Sequence, residues 1–92
     1  MQFTKRLRSP IKSGEITTSV RIWKSPRVKV GHRYVLDDGH VVVDHVSEID
    51  FDDITPSLAR GSGFSGVADL LKVAKHGSGE RVFLVKFHYE GP

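Results

Sequence analysis

Cysteine is absent from this chain, which excludes disulfides, a thiol nucleophile and cysteine-ligated zinc. That absence fits a reducing compartment. Long apolar runs are absent as well. No stretch approaches the roughly 20 residues needed to span a bilayer, and the first residues lack the apolar core of a signal peptide. The expected setting is cytoplasmic, with no membrane partner. Acid is scarce at one end. Residues 1–33 hold Lys5, Arg6, Arg8, Lys12, Arg21, Lys24, Arg27, Lys29 and Arg33 against a single acid, Glu15. Residues 34–54 reverse this, with Asp37, Asp38, Asp44, Glu48, Asp50, Asp52 and Asp53 and no lysine or arginine. Nine cations and one acid make +8 in the first segment, and seven acids make −7 in the second. This asymmetry favours a phosphate-bearing partner on one face. The alternative is that the two segments neutralise each other across a small fold.

What is present is enough for one domain, spanning residues 1–92, with 38% hydrophobic and 27% charged residues. Phe3, Leu7 and Ile11 recur every four residues and predict one buried helical face over residues 4–13. Thr4 is a candidate N-cap and Gly14 a candidate C′ residue. Ser9-Pro10 is a second start signal, so this segment reads as one broken helix or two turns. Residues 16–23 read as a strand. Alternation puts Ile16, Thr18, Val20 and Ile22 on a core face, and Thr17, Ser19, Arg21 and Trp23 on the other. Two hydroxyls, a guanidinium and an indole in a row can hold phosphate, a base edge and a base face. They can equally be the solvated side of a half-buried strand.

Further along, Val28 to Val30 and Arg33 to Leu36 are short strand candidates. Asp37-Asp38-Gly39 predicts a hairpin into a long strand over His40 to Ile49. Asp50 to Asp53 form an acidic turn. Thr55 caps a short helix over about 55–60 with Pro56 at its first position. Gly61-Ser62-Gly63 stops it, although amides that precede a helix can also meet a phosphate. Ser65 is the expected cap of a second helix over about 66–75, ended by His76-Gly77-Ser78-Gly79. Arg81 to Tyr89 is a long apolar strand and is expected to be central. Together these are about five strands and two or three short helices. The predicted class is α+β, a small, mostly antiparallel β-barrel. His32, His40, His45, His76 and His88 show no metal-ligand spacing, so no metal and no cofactor are expected.

The order of elements and the Gly14–Arg21 stretch resemble the ASCH domain family, small β-barrels related to the PUA fold and associated with RNA. The likeness extends over nearly the whole chain. It covers the basic helix ending in Gly14, the Thr-rich strand ending in Arg21, Val30-Gly31 opening the next strand, the Asp50–Thr55 link, a helix pair around Gly63-Phe64, and the final strand Val82–Tyr89. The family motif has glycine, lysine two residues later, and arginine five beyond. Gly14 and Arg21 match, and Ile16 stands at the lysine position. The resemblance implies a cleft where the motif strand, the first helix and the helix pair meet. It implies an RNA- or nucleotide-binding module, with a basic cleft built from Lys5, Arg6, Arg8, Lys12, Thr17, Ser19, Arg21, Trp23, Lys24 and Arg27. Some members hydrolyse acetylated cytidine with a lysine, a strand hydroxyl and a glutamate. Thr17 and Ser19 match the hydroxyl positions. Ile16 and the Arg60–Phe64 segment supply neither lysine nor glutamate, and Glu15 or Lys12 would have to substitute. Binding is therefore favoured over an amidohydrolase or a ribonuclease. A third reading is a protein-interaction module that uses the acidic stretch 37–53.

Overall fold

In the computed structural model, residues 1–74 and 80–92 are described. Four strands form one antiparallel sheet: β1 (Thr18–Trp23), β2 (Arg33–Leu36), β3 (Gly39–Ile49) and β4 (Arg81–Glu90). Their order is β1-β4-β3-β2, a half-barrel with the apolar β4 inside it as expected and β1 and β2 as its edges. Three helices accompany it: α1 (Lys5–Lys12), α2 (Pro56–Gly61) and α3 (Val67–Ala74). None of the described helices is long and apolar enough to cross a membrane. The expected end of α3 at His76–Gly79 lies outside the described residues.

Five strands were expected, and the described residues contain four. Val28–Val30 joins no ladder. Pro26 lacks an N–H before it, and Gly31 bends the chain after it at φ +83°. Its backbone is satisfied locally instead: Lys29 N–H donates to the Tyr34 hydroxyl at 3.1 Å and His32 N–H to the Lys29 carbonyl at 3.1 Å. The β2–β3 hairpin forms where Asp37-Asp38-Gly39 predicts it, with Leu36 opposite Gly39 and Asp37 at φ +52°. Gly39 is required for space, because a Cβ there would collide with the Tyr89 hydroxyl and the Glu90 carbonyl.

α1 is a single helix that keeps Pro10 inside it. The cost of one lost backbone hydrogen bond is offset by burial of Phe3, Leu7 and Ile11 at 8%, 5% and 1% exposure. Thr4 occupies the N-cap position, but its side chain makes no capping bond. Gly14 takes φ +85° as the C′ residue, and the Pro10 carbonyl then accepts the N–H groups of Glu15 and Ile16 at 2.9 and 3.2 Å. This turn aims the chain into β1. At α2, Thr55 Oγ1 accepts the Leu58 N–H at 3.1 Å, as the Thr-Pro signal implies. At α3 the expected cap is reversed: Ser65 donates through both N–H and hydroxyl to Asp69 Oδ2, at 3.1 and 3.3 Å.

Register places the helices on opposite sides of β1. Ser19, Arg21 and Trp23 lie across from Val85, Phe83 and Arg81 on one face. On that same face Phe87 stacks on Phe3, just ahead of α1, at 5.3 Å. Val20 and Ile22 lie on the other face, across from Leu84 and Val82, and there Thr18 Oγ1 meets Ser62 Oγ beside α2 at 3.0 Å. One continuous core results, and both faces of β1 contribute to it.

Candidate functional site

β1 is an edge strand with helices above and below, and a cavity of about 300 Å³ opens along that edge. Phe3, Leu7, Ile16, Val20, Phe64 and Val73 supply its apolar wall, and Thr18, Ser19, Arg21 and Ser62 its polar one. The volume is at the lower end for small-molecule sites, and the mixture of apolar wall and a few convergent polar groups is typical of them. Backbone groups contribute as well. Phe87 N–H donates to the Thr17 carbonyl at 2.9 Å, so Thr17, Ser19 and Arg21 turn their backbone groups toward β4. Antiparallel alternation then turns the N–H and C=O of Thr18 and Val20 outward, along the cavity. A flat ligand brought edge-on meets an alternating row of donors and acceptors there.

Arg21 is the only ionisable group among the described residues lining this cavity. Its Nε–H donates to Ser19 Oγ at 2.8 Å and one terminal N–H to the Gln2 carbonyl at 2.6 Å. Its guanidinium carbon sits 5.0 Å from the Phe3 ring centroid. A guanidinium has five N–H donors. With two of them used, three remain without a partner among the described residues. No carboxylate pairs with it there either, and burial lowers its pKa to about 10. It therefore stays charged at neutral pH, half-buried and without an acid beside it among the described residues. An anion or a strong acceptor is what this group lacks.

The ten expected binding residues do not form one patch. Ser19 and Arg21 line the cavity. Arg6 stands at its border, donating to the Gly63 carbonyl at 2.8 Å, 5.3 Å from the Phe64 ring and 3.5 Å from Asp69. Lys5, Arg8 and Lys12 gather elsewhere around Asp37. Arg8 reaches Asp37 at 3.0 Å, and Lys12 reaches Asp37 and Asp38 at 3.5 and 3.4 Å. The neutralisation alternative thus holds for this part of the basic segment. Within the acidic stretch Arg81 also engages Glu48 at 2.8 Å and His88 engages Asp44 at 2.9 Å, and beyond it Arg33 pairs with Glu90 at 3.4 Å, whereas Asp50, Asp52 and Asp53 are exposed and form no ion pair among the described residues. Thr17 is exposed ahead of β1 and does not line the cavity, while Thr18 does. Trp23 is 5% exposed, its ring 5.9 Å from Phe83, so the core takes the indole face that alternation assigned to stacking. Lys24 is exposed, and its carbonyl accepts from Arg81 at 3.1 Å. Arg27 lines a neighbouring groove with Trp23 and Val28.

Thr18, Ser62 and Phe3 are site residues that the sequence pattern assigned to the core or to a helix stop, while Phe64 lies in the helix-pair segment that the resemblance placed at the cleft. Ser62 had one signal: a small polar residue between two glycines, fully buried at 2% exposure. The amides of that segment are not available to a phosphate. Ser62 and Phe64 N–H donate to α2 carbonyls at 2.9–3.2 Å and Gly63 N–H to the Arg60 carbonyl at 3.0 Å. Gly63 itself, at φ +94°, lies against Leu7 and Ile16, where a Cβ would fall 2.5 and 2.7 Å from their methyl carbons. The substitutes considered for a catalytic lysine or glutamate are placed elsewhere: Lys12 is paired with Asp37 and Asp38, and Glu15 is exposed outside the lining. Among the described residues no group of three or more His, Asp or Glu is arranged to hold a metal.

No protein-family model, curated protein or solved structure matches this chain.

Proposed function

We propose that this chain is a small RNA- or nucleotide-binding module of the ASCH type, a PUA-like architecture in which the half-barrel is the barrel sheet. The observation that carries the reading is Arg21: a half-buried cation with N–H groups unpartnered and no acid beside it among the described residues, on the wall of a cavity that also offers the hydroxyls of Thr4, Thr18, Ser19 and Ser62 and a free strand edge. A planar base fits the edge of β1 and the apolar walls, and a phosphate or a ring carbonyl fits the guanidinium. A cytoplasmic setting agrees with the lack of cysteine. Hydrolysis of a modified nucleoside or of RNA finds less support. Ile16 puts an alkyl wall where the resemblance calls for lysine, and an alkyl group can neither hold an oxyanion nor move a proton.

The test is an amide NMR titration of labelled protein with short single-stranded RNA and with ribonucleoside monophosphates, at low and moderate salt. Shifts are expected at Thr18–Arg21 and Ser62–Phe64, with a shallow salt dependence set by one or two phosphate contacts rather than by the whole basic segment. A folded sample without shifts at those residues overturns the reading.

A further inference from the structure

Arg21 is not at the end of one cavity but on the wall between two. A second cavity of about 280 Å³ is lined by Gln2, Arg21, Trp23, Arg27 and Val28, together with Met1. Gln2 and Arg21 belong to both linings. Trp23 and Val28 form a buried apolar floor at 5% and 4% exposure, and exposed Arg27 stands at the rim. Neither lining contains a carboxylate among the described residues, and neither Arg21 nor Arg27 forms an ion pair there. The two volumes are alike, and Arg21 and Gln2 stand between them, Arg21 being the only charged side chain that both linings share.

Resting on the nucleotide-binding reading above, we propose that the two cavities are successive subsites for a single nucleic-acid strand. One nucleotide puts its base in the first cavity, and the phosphodiester that follows sits on Arg21. The adjoining nucleotide lies over the Trp23–Val28 floor with its outer phosphate toward Arg27. A phosphodiester carries one negative charge, which the one shared guanidinium matches. Ser19 and the Gln2 carbonyl hold that guanidinium from both sides, so its remaining N–H groups keep a set direction, as bidentate recognition of phosphate requires. An apolar floor beside a cation suits a sugar and base that remove it from water while a phosphate answers the charge. The ligand class is then an oligonucleotide of at least two residues, and a mononucleotide fills only half of the site.

The chain contains one tryptophan, so its fluorescence reports on the second cavity alone. The four ribonucleoside 3′- and 5′-monophosphates and the four homodinucleotides that carry a 3′-terminal phosphate as well as the linking one are titrated against intact protein, followed by Trp23 emission and by amide shifts at Thr18 and Ser62. The best dinucleotide is expected to bind at least tenfold tighter than its mononucleotide and to change Trp23 emission, and the mononucleotide to shift Thr18 and Ser62 without that change. Arg27→Ala, at an exposed position, is expected to cut the dinucleotide advantage below threefold. Mononucleotide binding with no dinucleotide advantage, or an advantage that survives Arg27→Ala, overturns the two-subsite proposal and leaves the nucleotide reading standing. Absence of binding by every probe overturns both.

Discussion

Replacing Arg21 with methionine separates a ligand-binding arginine from a structural one. Methionine keeps an apolar stem over Phe3 and removes the charge. Burial lowers the guanidinium pKa to about 10, which amounts to at most about 3 kcal/mol against the charged form in the folded state. The variant is relieved of that. It loses the contact with the Phe3 ring, about 0.5–1 kcal/mol, and leaves buried Ser19 without its donor, about 1 kcal/mol. Gln2 is exposed, so its carbonyl exchanges the guanidinium for water. These terms nearly cancel, and the unfolding free energy should stay within roughly 1 kcal/mol of the parent, measured by urea unfolding followed by circular dichroism. An arginine that completes a buried ion pair would instead cost about 3–5 kcal/mol. The folded-state pKa is depressed, so the unfavourable contribution is present in full below about pH 10 and is relieved only as pH rises through it. The difference between variant and parent should therefore be flat across neutral pH. Nucleotide affinity, in contrast, should fall roughly ten- to a hundredfold with loss of a charge-assisted contact. A stability loss above about 2 kcal/mol, or unchanged affinity in a folded variant, would refute the reasoning.

Gly63→Ala should cost about 2–5 kcal/mol, because φ +94° is unfavourable for alanine and its Cβ runs into Leu7 and Ile16. Gly14→Ala, at φ +85° with nothing within 4 Å, should cost only about 1–2 kcal/mol, and equal losses in urea titrations would sink the packing argument. His88 lies 2.9 Å from Asp44 and 3.2 Å from Glu90, which raise its pKa above 6.5. Its contribution is complete below the unfolded value and is lost as pH rises through the raised one. The parent should therefore lose stability as pH rises above about 6.5 in a way that His88→Gln does not, and parallel profiles for the two proteins would refute it.

Local chemistry was legible along the chain wherever the determinant lay within a few residues. The Phe3, Leu7 and Ile11 spacing declares the buried side of α1. Asp37-Asp38-Gly39 declares the hairpin, Thr55-Pro56 the start of α2, and the apolar run 81–89 the inner strand, because turns, caps and periodicity act through neighbouring backbone groups. The motif ending at Arg21 likewise pointed to the strand that carries the candidate site. What alternation could not decide was the environment of each face of that strand. Period two assigns Trp23 and Ser19 to the same side as Arg21, but only the tertiary packing, with Phe83 against Trp23 and Phe3 against Arg21, buries the indole and leaves the guanidinium beside a cavity. Thr18 enters the site because α2 ends with Ser62 against it, a contact 44 residues away in sequence. The charge asymmetry was visible in composition, yet its meaning depended on which cations came within reach of an acid. Arg8 and Lys12 are spent on the hairpin aspartates, and Arg21 and Arg27 are not, because the fold brings the Asp37-Asp38 turn to α1 and no described carboxylate to the edge of β1.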